Sequence, residues 1–522
     1  MITKRVTISV FLSMLALALA ATALADVSVP NVIGDHMVLQ QGMKAPIWGK
    51  ADPGEAVVVK FGDAELKTTA CPKGRWMVRL PKMKAGGPYE MTIKGAKNTL
   101  TLTDILVGEV WVGSGQSNMQ MSVRSSNNAD QEIAAAKYPE IRLCSVERKV
   151  AGEPQDNCTA SWTACTPESV ADFSAVAYFF GRELHKDLNV PVGLIHTSWG
   201  GTPAEAWTSR PMLEADPDLK VIVDRWDQTL AKYPQAQKEY EAQMAEWEKA
   251  AAAAKAANQP EPKKPGAPAG PDHPHRTSGL YNAMIAPLVP FGIKGAIWYQ
   301  GESNAGRAYQ YRKLFPAMIT DWRNAWGEGN FPFLFVQLAN FTPQLPEPGP
   351  SDWAELREAQ LMTMDKKSPT ALKNTGMAVI IDIGDAADIH PKNKQDVGKR
   401  LALNALANTY KKPVAYSGPL YRGMKIKGSE AVLRFDHADG GLTAKGGELK
   451  GFAIAGEDKK FVWAKATIAD GKIVVSSDKV AKPVAVRYAW ANNPDCNLYN
   501  GAGLPASPFR TDDWRGVTFG KN

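Results

Sequence analysis

Cysteine and histidine are scarce in this 522-residue sequence, at five and seven residues. The cysteines (Cys71, Cys144, Cys158, Cys165 and Cys496) are odd in number, so at most two disulfides form within one chain. Cys158 and Cys165, close together in a loop-like segment, are the expected pair in an exported protein. No spacing fits a zinc motif, and His273-Pro-His275, in a Pro-rich tract, makes a poor metal site. A strong charge of one sign is missing too. The formal charge is +7, or +5 without Lys4 and Arg5, too mild and dispersed for a nucleic acid or an anionic membrane as partner. Beyond the first residues no apolar run approaches the length of about 20 residues needed to span a membrane. No repeat of fixed period is visible.

What is present is the make-up of a globular chain, 44% hydrophobic, 22% charged and 9% aromatic, long enough for roughly three structural units. It opens with Met-Ile-Thr-Lys-Arg, an apolar stretch from Val6 to about Leu19, and Ala23-Leu24-Ala25 before Asp26. A positive start, an apolar middle and a small-x-small site predict a secretory leader over residues 1–25, hence a periplasmic or secreted protein. The alternative is an uncleaved anchor. No cysteine follows the cleavage site, which argues against a lipid-anchored form.

Residues 26–102 carry short alternating runs such as Ala56-Val-Val-Val-Lys-Phe, broken by turns such as Asp52-Pro-Gly, and predict a β-sandwich module. From about Thr103 to residue 413, apolar runs alternate with helical stretches: Val107-Gly-Glu-Val-Trp-Val, Val192-Gly-Leu-Ile-His, Gly295-Ala-Ile-Trp-Tyr, Phe331-Pro-Phe-Leu-Phe-Val and Met377-Ala-Val-Ile-Ile. This predicts an α/β core with a parallel sheet covered on both faces, binding its ligand beyond the carboxyl ends of the strands. An insertion at about 215–275 reads as a helix from Lys220 to Ala257, with Tyr240, Met244 and Trp247 on one face as packing. A Pro-rich tract follows, expected to be extended and mobile. Residues 414–522 return to strands and turns and predict a C-terminal β-rich module.

Candidate chemistry clusters at predicted strand ends. In Gly113-Ser-Gly-Gln-Ser-Asn-Met-Gln120, Ser117 lies in a glycine-containing turn just past a strand, exposed as a nucleophile with its N–H free for an oxyanion. Met119 stands where the common Gly-x-Ser-x-Gly elbow has glycine. His390, in Asp385-Ala-Ala-Asp388-Ile-His390-Pro, is the candidate base. In an extended stretch residues i and i+2 share a side, so Asp388 can orient the imidazole, with Asp385 as fallback. In Trp199-Gly200-Gly201-Thr-Pro the glycines let a backbone N–H approach a reacting carbonyl. In Trp298-Tyr-Gln300-Gly-Glu302-Ser-Asn304 the Gln300 amide could donate to the same oxyanion. Glu302 is read first as a buried helix cap, with a second acid or a substrate contact as the functional alternatives, and Asn304 is a candidate substrate contact. Together these segments suit acyl transfer.

The motifs Gly-Gln-Ser-Asn-Met, Trp-Gly-Gly-Thr-Pro-Ala-Glu-Ala-Trp, Tyr-Gln-Gly-Glu-Ser-Asn and Asp-Ile-His-Pro together resemble the sialate O-acetylesterase family of SGNH-type carbohydrate esterases. The likeness runs over most of the chain, to the closing Asn497-Leu-Tyr-Asn-Gly-Ala-Gly-Leu-Pro segment. It implies a flavodoxin-like SGNH hydrolase core with β-rich accessory parts, and removal of O-acetyl groups from sugars without a metal or organic cofactor. By motif it implies Ser117 as nucleophile, His390 as base, and an oxyanion hole from the Ser117 N–H, Gly200 or Gly201, and Gln300. Two positions depart from the broader SGNH pattern. Ala387 stands where that pattern sets the acid, so Asp388 is assigned on geometry and a Ser-His dyad is the alternative. Gln300 stands where it places asparagine.

Within this chemistry the substrate is an acetylated sialic acid or, alternatively, acetylated hemicellulose such as xylan or xyloglucan. Trp199 and Trp207 are candidate stacking platforms for either sugar, while a sialate carboxylate favours an arginine, for which Arg124 and Arg307 are candidates. A non-catalytic carbohydrate-binding protein would keep the aromatics without needing Ser117, His390 and the glycines together. A lipid esterase would need a long apolar pocket that nothing in these segments suggests.

Overall fold

The sequence Thr99–Gly115 alternates threonine with leucine, then becomes a continuous apolar and small-residue run from Ile105. Alternation suits a strand with one solvated face, and a continuous run suits one buried on both. The computed structural model, which describes residues 26–522, makes this one unbroken strand with both properties. Its first half pairs antiparallel with Gly86–Lys94, and its second half lies at the centre of a parallel sheet. The strand crosses the 102/103 position without a break, and buried residues on either side of it form one continuous hydrophobic core. The leader expected over residues 1–25 lies outside the described residues.

We number the strands of the central path in chain order: β1 (Thr99–Gly115), β2 (Tyr138–Ser145), β3 (Trp162–Cys165), β4 (Val192–Ser198), β5 (Gly295–Tyr299), β6 (Phe333–Val336) and β7 (Thr375–Ala378). Their spatial order is β7-β6-β5-β1-β4-β2-β3, parallel except for the antiparallel edge strand β3. Without the β2–β3 edge, the remaining five run 2-1-3-4-5 when numbered among themselves, one of the two common doubly wound orders. In that order the chain reverses direction of travel between β1 and β5, and folds of this order bind ligands beyond the carboxyl ends of their strands.

Helices α1 (Ala175–Leu188), α2 (Pro217–Ala256), α3 (Ala308–Trp326), α4 (Asp352–Met362) and α5 (Lys394–Asn408) flank the sheet or extend from it. Gly113 of β1 faces α1, where an added Cβ would lie 3.2 Å from Ala177. Trp298, of opposite parity on β5, packs on Phe315 and Trp322 of α3. Both faces of the sheet are therefore covered, as the apolar strands require. The start of α1 is capped by Ser174, whose Oγ accepts from the Ala177 amide, and α5 is capped in the same way by Asn393.

Helix α2 is the predicted insertion. The Pro-rich tract behind it is extended but not free: it folds back along α2, with Trp247 Nε1 donating to Pro262 O at 2.8 Å and Lys264 over the Trp247 ring. Gly270 lies so close to Tyr233 that a Cβ there would sit 2.4 Å from the ring. These contacts, at both ends of the tract, lay a segment unable to form a core of its own along the surface of α2.

The C-terminal part has two antiparallel four-stranded sheets around a separate core that includes Leu433, Ile454, Val475 and Tyr488. It docks on α4, where buried Arg357 donates to Ala491 O and Asn492 O, and Glu355 accepts from the Val517 and Thr518 amides. The expected Cys158–Cys165 disulfide is not formed, and all five cysteines are free. Cys165 is fixed on β3 opposite Tyr138, while Cys158 in the preceding loop lies near Cys144. No helix of the described residues is long and apolar enough to cross a membrane.

Candidate active site

Strand β1 ends at Gly115, whose φ is +141° and whose Cβ, if it had one, would sit 2.1 Å from Tyr299 O on β5. Only glycine lets the two backbones approach this closely, and the chain then turns at once into the short helix Ser117–Gln120. Each residue of the turn has a task. Gln116 Oε1 accepts from the Gly301 and Ser303 amides, tying the turn to the segment after β5. Met119 is fully buried, and its carbonyl accepts from Ser174 Oγ at 2.6 Å. The Met119 and Gln120 amides turn back to Gln116 O, so the first-turn amides of Ser117 and Asn118 are left without a helical acceptor.

Ser117 Oγ lies 2.9 Å from His390 Nε2. On the other side of the ring, Nδ1 faces Asp388 Oδ1 at 3.3 Å, and Asp388 also accepts from the His390 backbone amide at 2.8 Å. The hydrogen bond from that amide, against the opposing effect of burial and with help from the His390 imidazole and the Lys392 charge, holds the Asp388 carboxyl below its usual range. A carboxylate on Nδ1 puts the neutral ring's proton there and leaves Nε2 to accept from Ser117. The acid and the base are both open to solvent, with side chains 46% and 41% exposed. Asp385 turns away into its own loop, where it accepts from the Ala387 amide.

Gly200 flanks the serine, since a Cβ on it would lie 3.3 Å from Ser117 Cβ. Its N–H donates to Gln120 Oε1 at 2.7 Å. Gly201 adopts a φ of +75° with open space where a Cβ would be, and its carbonyl accepts from Ser303 Oγ. Ser117, Gln120, Gly200 and His390 line one open cleft of about 800 Å³, together with Arg148 and His196. Burial, and the Arg148 cation, push the His196 imidazole down to about 4, so it is neutral and pairs with Ser198 Oγ at 2.6 Å. Arg148 lies over the Trp199 ring at 5.8 Å.

Other sequence expectations are corrected here. Gln300 is fully buried and both amide hydrogens are spent, on Asn304 Oδ1 and Thr202 O, while its oxygen accepts from Tyr311. It has no donor left for an oxyanion. Asn304 is equally buried, bridging Gln300, the Ala204 amide and Glu205. Trp207 is a core residue, packed on Trp298 with Nε1 on Thr202, and offers no face to a sugar. Glu302 lies under the cleft with its carboxylate on Asn118. Arg124 is paired at the rim with Asp172, and Arg307 with buried Glu205, so neither cation is free. Arg148, Gln120 and His196 were not singled out from the sequence. Gln120 closes the quoted motif, but Arg148 lies in a loop that has no pattern to mark it.

A doubly wound sheet with a hydroxyl, an imidazole and a carboxylate in a row at its strand ends is an arrangement able to carry out acyl transfer. A family described as "carbohydrate esterase, sialic acid-specific acetylesterase" matches residues 271–407. The chain is 33% identical to the sialate O-acetylesterase of Mus musculus, covering 92% of this chain and 93% of that one. It is 32% identical to the sialate O-acetylesterase of Homo sapiens, over 92% and 91%. The crystal structure of a carbohydrate acetylesterase from Xanthomonas citri superposes with a TM-score of 0.79 at 38% identity, covering 94% of this chain and 100% of that one. The chain belongs to the sialate O-acetylesterase family and is a carboxylic ester hydrolase.

Proposed function

We propose that the protein removes O-acetyl groups from sugars by way of an acetyl-Ser117 intermediate, on an SGNH-type, flavodoxin-like core. The observation that carries this reading is the 2.9 Å approach of Ser117 Oγ to His390 Nε2 in the open cleft past the carboxyl ends of β1, β2 and β4. His390 Nε2 takes the hydroxyl proton as Oγ attacks the acetyl carbonyl carbon. The developing oxyanion is met by the Ser117 amide and by the Gly200 N–H, which exchanges Gln120 Oε1 for the substrate oxygen. The tetrahedral species collapses as the imidazolium returns its proton to the departing sugar oxygen. Water, deprotonated by the same imidazole, then releases acetate. Asp388 keeps the ring in the tautomer this sequence needs.

Within acetylated sugars, the site favours one with a carboxylate, an O-acetylated sialic acid. Arg148 lines the cleft without a carboxylate partner among the described residues, and Trp199 beneath it is half-buried. A neutral hemicellulose acetate offers that cation hydroxyl acceptors but no opposite charge. The leader read in residues 1–25 suits export to where such glycans are met. The test is acetate release by the parent and by Ser117→Ala on O-acetylated sialic acid and on acetylated xylo-oligosaccharides. Release by the parent alone, and chiefly from the sialate, is expected. Equal release by both proteins would remove Ser117 from the reaction, and preference for the xylo-oligosaccharide would reassign the substrate.

A further inference from the structure

Beneath the Ser117–His390 pair lies a polar cluster that none of these steps uses. The Asn118 side chain, 1% exposed, directly follows the nucleophile. One Nδ2 hydrogen goes to Glu302 Oε1 at 2.7 Å, and the other to Ile389 O at 3.0 Å, the carbonyl just before His390. Its Oδ1 accepts from Lys394 Nζ at 2.5 Å. A single carboxamide thus joins the nucleophile turn, the segment after β5 and the loop that carries the base.

The two charged groups are in costly places. Lys394 is fully buried at the first position of α5, the positive end of the helix dipole, and its Nζ lies 5.3 Å over the Tyr299 ring. The Glu302 oxygen Oε2 is buried and has no hydrogen-bond partner. Burial pushes the Lys394 ammonium down to about 7 and the Glu302 carboxyl up, each opposed by the charge of the other. Well-packed apolar residues would usually be at least as stable. What the charges do is fix a direction. The ammonium demands an oxygen from Asn118 and the carboxylate demands N–H, so a flipped carboxamide would set donor against donor and lose its bond to Ile389.

We infer that Lys394 and Glu302 lock the Asn118 carboxamide in one orientation, and that Asn118 is the positioning residue that sets the reach of His390 to Ser117. This rests on the esterase reading above. The titratable and charged groups facing the cluster are Asp388 and His390 from the base loop, Tyr299 from β5 and Tyr311 from α3, with Arg357 of α4 acting on Tyr299.

The test compares Asn118→Ala, Lys394→Met and the near-isosteric Glu302→Gln for kcat and KM on a soluble acetyl ester, melting temperature, and the acid limb of the pH–rate curve. A parallel reaction is the rate at which an alkyl fluorophosphonate modifies Ser117, read by intact mass. Asn118→Ala should lower kcat and the labelling rate about 100-fold, the order expected for misplaced reacting groups, with KM nearly unchanged. Removing the cation should move the acid limb to higher pH, and removing the anion should move it to lower pH. A purely structural cluster would lower the melting temperature while the folded variants keep the parent's kcat and labelling rate, and that result would overturn the inference. If Asn118→Ala does not fold, the Lys394→Met and Glu302→Gln pair still decides. If the parent is inert toward acetyl esters the esterase reading fails, and fluorophosphonate labelling and its pH dependence still read the positioning.

Discussion

The side-chain oxygen of Gln120 accepts the Gly200 N–H at 2.7 Å, on the flank of Ser117. In the resting protein a glutamine carbonyl therefore fills the acceptor position assigned to the substrate oxygen. Its removal frees a donor at the loss of one hydrogen bond worth about 1 kcal/mol net. Steady-state kinetics of Gln120→Ala should give an unchanged kcat and a KM lowered by up to about fivefold. A hundredfold fall in kcat would mean that Gln120 holds the Gly200 loop rather than filling its place.

The acid and base differ in what their loss should cost. His390 carries the proton, so His390→Ala should lose on the order of 10²-fold or more in kcat/KM. Asp388 is exposed and 3.3 Å from the ring, where solvent screens the pair. Asp388→Asn should cost about tenfold, and kcat/KM for both variants on one acetyl ester checks the order. Asp388 is held ionised below the usual carboxylate range, so the acid limb of the pH–rate curve should follow imidazole protonation.

Glu328 gives a pH dependence of stability away from the site. Burial raises its carboxyl to about 7, opposed by the Ile293 amide and Arg79. A carboxyl raised on folding binds its proton more tightly in the folded state. Its contribution is complete below the ordinary carboxylate value and is lost as pH rises through about 7. Thermal melts from pH 4 to 8 should show Glu328→Gln gaining on the parent as pH rises, by about 3 kcal/mol at the upper end. A constant difference across that range would refute the assignment.

The α2 hairpin depends on Trp247, the indole that meets Pro262 and Lys264. Trp247→Ala should release the Pro-rich tract, so limited proteolysis within 259–271 accelerates while esterase activity stays at the parent level. Equal cleavage rates would show that the tract is held by other contacts.

Much of the layout was legible in the sequence because periodicity records burial. The change from alternation to a continuous apolar run within Thr99–Gly115 marks the passage from a half-solvated to a buried strand. The Ser117, His390 and Asp388 trio was legible because strand-end turns with glycine and an Asp-x-His spacing constrain direction. Gln300, Asn304 and Trp207 were misread for one shared reason: a polar or aromatic residue at a strand end looks the same in sequence whether it faces the cleft or the layer behind it. Here a network around Thr202, Glu205 and Tyr311 drew them inward. Arg148 was invisible because it meets Trp199, about fifty residues away in sequence, only in the fold.

The most direct test of the account is rapid-quench mass spectrometry of the enzyme during turnover of a good acetyl donor, followed by peptide mapping. An acetyl group should appear on the peptide containing Ser117 within the burst and vanish as substrate is exhausted. Turnover with Ser117 unmodified throughout, or with the acetyl group on another residue, would contradict it.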